Sequence, residues 1–249
     1  MTKILITGSS MRVGAALVRA CAKDFMTVVL HYNQNEASAQ LLAEDLRSGG
    51  ATVELVAADL SDESAVNSVI EEASRTGPLT ALINNASLFS YDDAQSVSAD
   101  NITRHMAVNV IAPALLTKDL VAQLPDGITG CVINILDAKL FGMNPDYYSY
   151  TLSKAALQNL TVMSAQAYAP RLRVNAIAPG IVLPSGGQNE SEFEAAHKRN
   201  LLGQGAQISE IVGAMRLLLS TKSMTGEAIV LDGGAHLQPA ARDVAFLKD

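Results

Sequence analysis

Tyr150 and Lys154 close the stretch YTLSK, so a helix there places a phenol and an ammonium one turn apart on one face. A cation beside a phenol favours the phenolate and lowers its pKa, which makes the pair an acid–base device. Two fixed positions in five arise readily by chance, so the weight of the pair comes from what lies upstream. The segment Thr7-Gly8-Ser9-Ser10-Met11-Arg12-Val13-Gly14 joins an apolar run to an amphipathic helix pattern. Gly8 permits a tight turn, and the helix start after it offers amides and a positive dipole end to a phosphate. An ordinary strand–helix turn with a surface arginine is the plainer alternative.

The second apolar run ends His31-Tyr32-Asn33-Gln34-Asn35. NAD-binding folds place an acid near this point to accept from the ribose hydroxyls. Here neutral donors stand instead, and Arg12 adds positive charge, which favours NADPH. Glu36 is the rival acid, but it falls where a helix opens and suits that N-terminus. Asp59-Leu60 follows the third run, placed either to meet an adenine or, for Asp59, to cap the next helix. Asn84-Asn85-Ala86-Ser87 closes the fourth, where two amides and a small residue suit backbone approach to a ligand. Asn109 sits among apolar residues of a helix pattern, and a buried Asn needs partners or bonds back to its own helix.

These residues need a scaffold, and the chain supplies one by repetition. Apolar, β-rich runs at 3–7, 26–32, 52–59, 79–86, 130–136, 172–179 and 227–234 alternate with helix patterns. The helices are expected at 12–23, 36–48, 62–76, 99–124, 148–168 and 208–220. The strands are apolar almost throughout rather than alternating, as in a parallel sheet covered on both faces. Strict alternation predicts an α/β fold of one domain over residues 1–249, a doubly wound parallel sheet of about seven strands. The polar segment 184–204, with Gly186-Gly187, is too long for a plain connection and reads as a substrate lid, or else as a surface excursion.

Hydrophobic residues at 49% and charged residues at 17% leave room for a large core. A net charge of −7 argues against a general nucleic-acid or anionic-membrane binder. Cys21 and Cys131 lie in apolar surroundings, and the N-terminal MTKILITG lacks the pattern of a signal peptide, so a cytoplasmic protein is expected. His31, His105, His197 and His236 show no metal-ligand spacing.

Taken together and in order, Thr7-Gly8 with Gly14, Asp59, Asn84-Asn85-Ala86, Asn109, Tyr150 with Lys154, and Pro179-Gly180 resemble the short-chain dehydrogenase/reductase family over nearly the whole chain. The resemblance implies a Rossmann-type sheet, a nicotinamide cofactor and a homotetramer. It implies Tyr150 as proton donor, Lys154 as its pKa-lowering partner and ribose ligand, Asn109 behind a water relay, and Pro179-Gly180 against the cofactor. Most members carry a serine 12 to 14 residues before the tyrosine, but Leu136-Asp137-Ala138 fills that window here. That departure, Arg12 in the turn, His31-Tyr32, and Asn85-Ala86-Ser87-Leu88-Phe89 are similar to the pteridine and dihydromonapterin reductases.

On that reading Phe89 stacks over a flat pterin, Arg12 and Ser87 donate to its oxygen and nitrogens, and Tyr147 edges the pocket. Packing alone is the plainer role for Phe89. Reduction of a ring imine forms no oxyanion, so the serine is dispensable and Asp137 is free to relay a proton to Tyr150. The substrate is then a pterin or dihydrofolate-like molecule. A carbonyl reductase acting on 3-oxoacyl thioesters or small ketones, and a non-enzymatic NADPH-binding scaffold, are the alternatives. Titration calorimetry checks the cofactor reading, with NADPH binding tighter than NADH; equal affinities would refute the reading of Arg12 and residues 31–35.

Overall fold

The computed structural model describes residues 3–184, 189–238 and 240–246. Seven strands are present: β1 (Lys3–Ile6), β2 (Thr27–Tyr32), β3 (Val53–Ala57), β4 (Ala81–Asn84), β5 (Gly130–Ile135), β6 (Leu172–Pro179) and β7 (Ala228–Leu231). They form one parallel sheet in the order β3-β2-β1-β4-β5-β6-β7. The order reverses between β1 and β4, where Leu5 pairs with Leu82, and a crevice opens at such a switch point. The helices are α1 (Arg12–Asp24), α2 (Glu36–Ser48), α3 (Glu63–Ala73), α4 (Ala99–Met106), α5 (Ala112–Gln123), α6 (Tyr148–Tyr168), α7 (Glu190–Lys198) and α8 (Ile208–Ser220).

The two-residue period of a strand divides the core. Ile4, Ile6, Val28, Leu30, Ile83 and Ile133 pack with Leu17 and Val18 of α1, Leu42 of α2 and Met215 of α8. The intervening Leu5, Val29, Leu82 and Val132 face the other way, onto Val69 and Ile70 of α3 and Leu116 and Leu120 of α5. Both faces are therefore dry, which explains the unbroken apolar runs.

Three elements differ from the sequence pattern. The helix expected from 62 is α3, capped by Asp62, whose carboxylate accepts from the Ser64 N–H at 2.9 Å. Asp59 does not cap it. The helix expected over 99–124 is α4 and α5 joined by a π-helical turn, Ala107–Ile111. Pro113 gives the reason: it has no N–H for the carbonyl of Asn109, and its ring crowds that carbonyl. Within the expected lid, α7 opens with a capping box between Asn189 and Glu192. Residues 185–188, including Gly186 and Gly187, lie outside the described residues. No helix among the described residues is long and apolar enough to cross a membrane.

The β1–α1 turn is packed backbone to backbone. A Cβ on Gly14 would lie 2.6 Å from the Gly8 carbonyl oxygen and 2.7 Å from the Ser9 Cα. Gly8 has φ +58, and a Cβ there would lie 2.7 Å from the Ala86 Cα. Neither neighbour is a side chain that could swing away. Gly14→Ala is therefore expected to destabilise the chain by about 1–3 kcal/mol, read as a lower denaturation midpoint; an unchanged midpoint would show that the turn can open.

Candidate active site

A cleft of about 1210 Å³ runs over the carboxyl ends of the strands and is lined by the residues singled out from the sequence as cofactor, substrate or acid–base groups, except Asn109; Thr7 and Asn84 lie buried behind it. Its floor at the switch point is the β1–α1 turn, held from β4. The Asn85 amide donates to the carbonyls of Thr7 and Gly8, both at 2.9 Å. The Thr7 hydroxyl oxygen accepts from the N–H groups of Asn85 and Ala86, both at 3.0 Å. Met11, Arg12 and Val13 follow on the cleft side. The close approach of Gly8 and Gly14 leaves a concave turn at a helix N-terminus, a fit for a dinucleotide pyrophosphate. Arg12 holds φ +55, a left-handed conformation that costs a residue with a Cβ roughly 1–2 kcal/mol. Its guanidinium donates to the Pro184 carbonyl at 2.8 Å, tying the turn to the start of the expected lid.

His31 does something other than what its position suggested. Its Nδ1 accepts from the Gly8 N–H at 3.0 Å and its Nε2 pairs with the Ala58 carbonyl at 3.2 Å. Both ring nitrogens are taken, so the side chain braces the glycine turn rather than offering a free polar group to a cofactor. Burial pushes its pKa down to about 4, against the opposing pull of the Ala58 carbonyl and Asp59. Tyr32, Asn33 and Leu60 line the cleft beside it. The Asp59 carboxylate accepts from the Ser61 N–H at 2.9 Å, and the bonds from Ser61 hold its pKa below the usual range. Burial raises the Tyr32 phenol and the Glu36 carboxylate adds to this, so the rival acid sits against Tyr32.

The opposite side of the cleft carries the acid–base pair. The Tyr150 hydroxyl donates to Asp137 Oδ2 at 2.8 Å, while Asp137 Oδ1 accepts from the Lys139 N–H at 2.8 Å. Lys154 Nζ donates to the Ile135 carbonyl at 2.7 Å and lies 5.7 Å from the centre of the Tyr150 ring. The expected lowering of the phenol pKa is reversed here. Burial, and then the Asp137 carboxylate, raise it well above its ordinary value. Burial lowers Lys154 to about 8, with Asp137 opposing. Tyr150 thus keeps its proton, as a donor must.

Asn109 has a structural role beside the cleft. It is fully buried, in the π-turn, and its amide donates to the Leu88 carbonyl at 3.0 Å and the Ser153 hydroxyl at 2.9 Å. Its Oδ1 accepts from the Leu88 N–H at 2.7 Å. The side chain is a clasp between the 88 loop and α6.

Several residues that the sequence pattern did not single out build the rest. Asp92 accepts from the Ser149 N–H at 2.9 Å and the Asn101 amide at 2.8 Å, and also from the Ser149 hydroxyl, so a carboxylate holds the start of α6. Tyr147, at φ +52, stacks on Phe89 with ring centres 4.5 Å apart, and Phe89 meets Tyr150 edge-on at 4.7 Å. Tyr91 and Phe246 extend this wall. Asp146, 2% exposed, receives two prongs from Arg242 and the Asp243 N–H, which brings residues 242–246 onto the cleft. Ser87 lies at the mouth, exposed, and Pro179 and Gly180 at the base.

A glycine turn at the switch point of a doubly wound sheet, facing a proton-retaining tyrosine with a lysine one turn on, defines a Rossmann-type oxidoreductase site. Comparison with known proteins agrees. A short-chain dehydrogenase/reductase family model, described as enoyl-(acyl carrier protein) reductase, matches residues 9–236. Dihydromonapterin reductase of Klebsiella pneumoniae is 30% identical over 238 residues, covering 94% of this chain and 97% of that one. 2-(S)-hydroxypropyl-CoM dehydrogenase 3 of Xanthobacter autotrophicus is 31% identical over 93% of this chain and 95% of its own length. The crystal structure of FolM alternative dihydrofolate reductase 1 from Brucella suis in complex with NADP superposes with a TM-score of 0.91 at 38% identity, covering 95% of each chain. The chain belongs to the short-chain dehydrogenase/reductase family and is an oxidoreductase.

The His31 brace has a pH signature. Its folded pKa of about 4 lies below the ordinary 6.5, so between these values the unfolded chain binds the extra proton. The brace therefore loses stability as pH falls from about 6.5 towards 4. Denaturant unfolding across that range should show a shallower pH slope in His31→Gln than in the parent chain; parallel slopes would mean that His31 is not held neutral.

Proposed function

We propose that this enzyme is an NADPH-dependent reductase of dihydropterins. The observation that carries the reading is the 2.8 Å hydrogen bond from Tyr150 to Asp137, in the place where most relatives are expected to keep a serine. Two of the relatives above, named for dihydromonapterin and dihydrofolate reduction, support it. NADPH would supply the hydride. Gly8, Met11, Arg12 and Val13 would hold its phosphates, Tyr32, Asn33, Asp59 and Leu60 the adenosine end, and Asn85, Ala86, Lys154, Pro179 and Gly180 the nicotinamide end. The absence of an acid at 33–35, with Glu36 against Tyr32, suits a 2′-phosphate.

The chain's own residues then manage one proton and one flat ring. Phe89, stacked on Tyr147 and 47% exposed, offers an aromatic face to a pterin. Arg12 and Ser87 are the donors for its polar edge. Tyr150 gives its proton to the ring nitrogen beside the reduced carbon. The Lys154 ammonium stabilises the phenolate that this leaves, and Asp137, already hydrogen-bonded to the oxygen, takes a proton from solvent and passes it to the phenolate. No oxyanion develops on the substrate, so no hydroxyl donor is needed where Asp137 stands.

NADPH absorbance with dihydromonapterin, dihydrobiopterin, dihydrofolate and a ketone panel tests the substrate class. Turnover of ketones without any pterin would make the enzyme a carbonyl reductase. Tyr150→Phe should nearly abolish turnover while NADPH still binds; loss of cofactor binding would indicate a structural tyrosine. Asp137→Ala should lower kcat by about 10²-fold, and an unchanged kcat would leave Asp137 as a turn residue only.

A further inference from the structure

Next to Asp137 the cleft has a further polar wall that the proton chemistry does not use. It is formed where the 3-10 turn Ala138–Phe141, which begins at Asp137, meets the turn Ala235–Leu237 after β7. At its centre are Asp232 and His236. Asp232 is 6% exposed and accepts three bonds: from the Gly234 N–H at 2.9 Å, the His236 N–H at 2.8 Å and His236 Nδ1 at 2.8 Å. A carboxylate can only accept, so Nδ1 carries the hydrogen, and in a neutral imidazole so oriented Nε2 is the acceptor. No hydrogen-bond partner among the described residues takes Nε2, and the imidazole lines the cleft with Phe141 against it, ring centres 6.2 Å apart.

Two glycines allow the pair to sit there. A Cβ on Gly142 would lie 3.0 Å from the His236 Cα, and a Cβ on Gly180 would lie 2.9 Å from the Asp232 Cβ. The dyad is thus wedged between the segment that starts at Asp137 and the segment Pro179-Gly180 at the base of the cleft. Its orientation is built into the backbone rather than left to a mobile side chain.

The charges around it indicate what it would bind. Lys139 is paired with Asp243 at 3.4 Å, and Arg242 with Asp146 at 2.7 Å. Both cations are thus already paired, and the Asp232 carboxylate is taken up by its three hydrogen bonds. A neutral hydroxyl would find a fixed acceptor with no desolvated charge to overcome.

We infer that Asp232 and His236 form a subsite for a neutral, hydroxyl-bearing side chain of the substrate, with His236 Nε2 as the contact and Asp232 as the positioning residue. The inference rests on the pterin reading and adds the side of the ring substituent to it.

The test is calorimetric binding to the NADP-loaded enzyme, with 7,8-dihydromonapterin, which carries a hydroxylated arm, against 6-methyl-7,8-dihydropterin, which does not. The parent enzyme is expected to bind the hydroxylated ligand about tenfold tighter. His236→Leu should erase that preference without weakening the methyl ligand, and His236→Gln, which keeps an acceptor, should restore part of it. Equal affinities in the parent enzyme, binding of neither ligand, a preference that survives His236→Leu, or an equal loss for both ligands would each overturn the subsite. Turnover measured alongside separates the two ideas: binding with the expected preference but no NADPH oxidation would refute the reductase reading and leave the subsite standing.

Discussion

The hydrogen bond between Tyr150 and Asp137 joins the first turn of α6 to the end of β5, and much of the surrounding structure serves to hold those two ends together. Asp137 is pinned by the Lys139 N–H at the opening of a short 3-10 turn. Tyr150 is placed by α6, whose start is held by Asp92 and whose inner face is clasped by Asn109 through Ser153. Ser153 in turn donates to the Tyr150 carbonyl at 2.7 Å, and Lys154 reaches back to the β5 carbonyl of Ile135. The contacts come from several elements besides α6 itself, so the phenol is fixed by several restraints rather than by helix geometry alone. Such support from surrounding hydrogen bonds gives a reacting group its precision.

Burial decides the electrostatics of the pair. A phenol and an ammonium one turn apart suggest a lowered phenol, and in water-exposed surroundings the cation would prevail. Here both groups are almost wholly enclosed, and enclosure disfavours each charged form. It raises Tyr150 and lowers Lys154, while the nearby carboxylate pushes both upwards. The result is a tyrosine that holds its proton. Strain is concentrated at the same site. The two non-glycine residues with positive φ among those described, Arg12 and Tyr147, both line the cleft, one on the turn and one at the head of α6. Such conformations persist where neighbours over-determine them, as Pro184 and Phe89 do here.

Much of the fold was legible because it rests on local rules. Strand and helix periods, with Gly8 and Gly14 in the first turn, placed the strands and most of the helices to within a few residues. Pro113 was equally visible, and it explains the π-turn that an unbroken helix pattern over 99–124 conceals. The glycine at 142 was present too, but its need became evident only once the His236 backbone was found 3.0 Å from where a Cβ would be.

The amino-acid sequence by itself determined the architecture, the position of the glycine turn, and the set of residues from Gly8 to Gly180 that meet in the cleft, because period and turn chemistry act within a few residues. Only the tertiary structure decided what those residues do. His31 became a brace when Ala58 and Gly8 closed on its two nitrogens, and Asn109 became a clasp when Leu88 and Ser153 took its amide. Asp92 and Ser149 stand 57 positions apart, and Asp146 and Arg242 96. Nothing local marks such pairs, since hydrogen bonds and burial depend on distance in space, and that distance exists only after the sheet has brought the strand ends together.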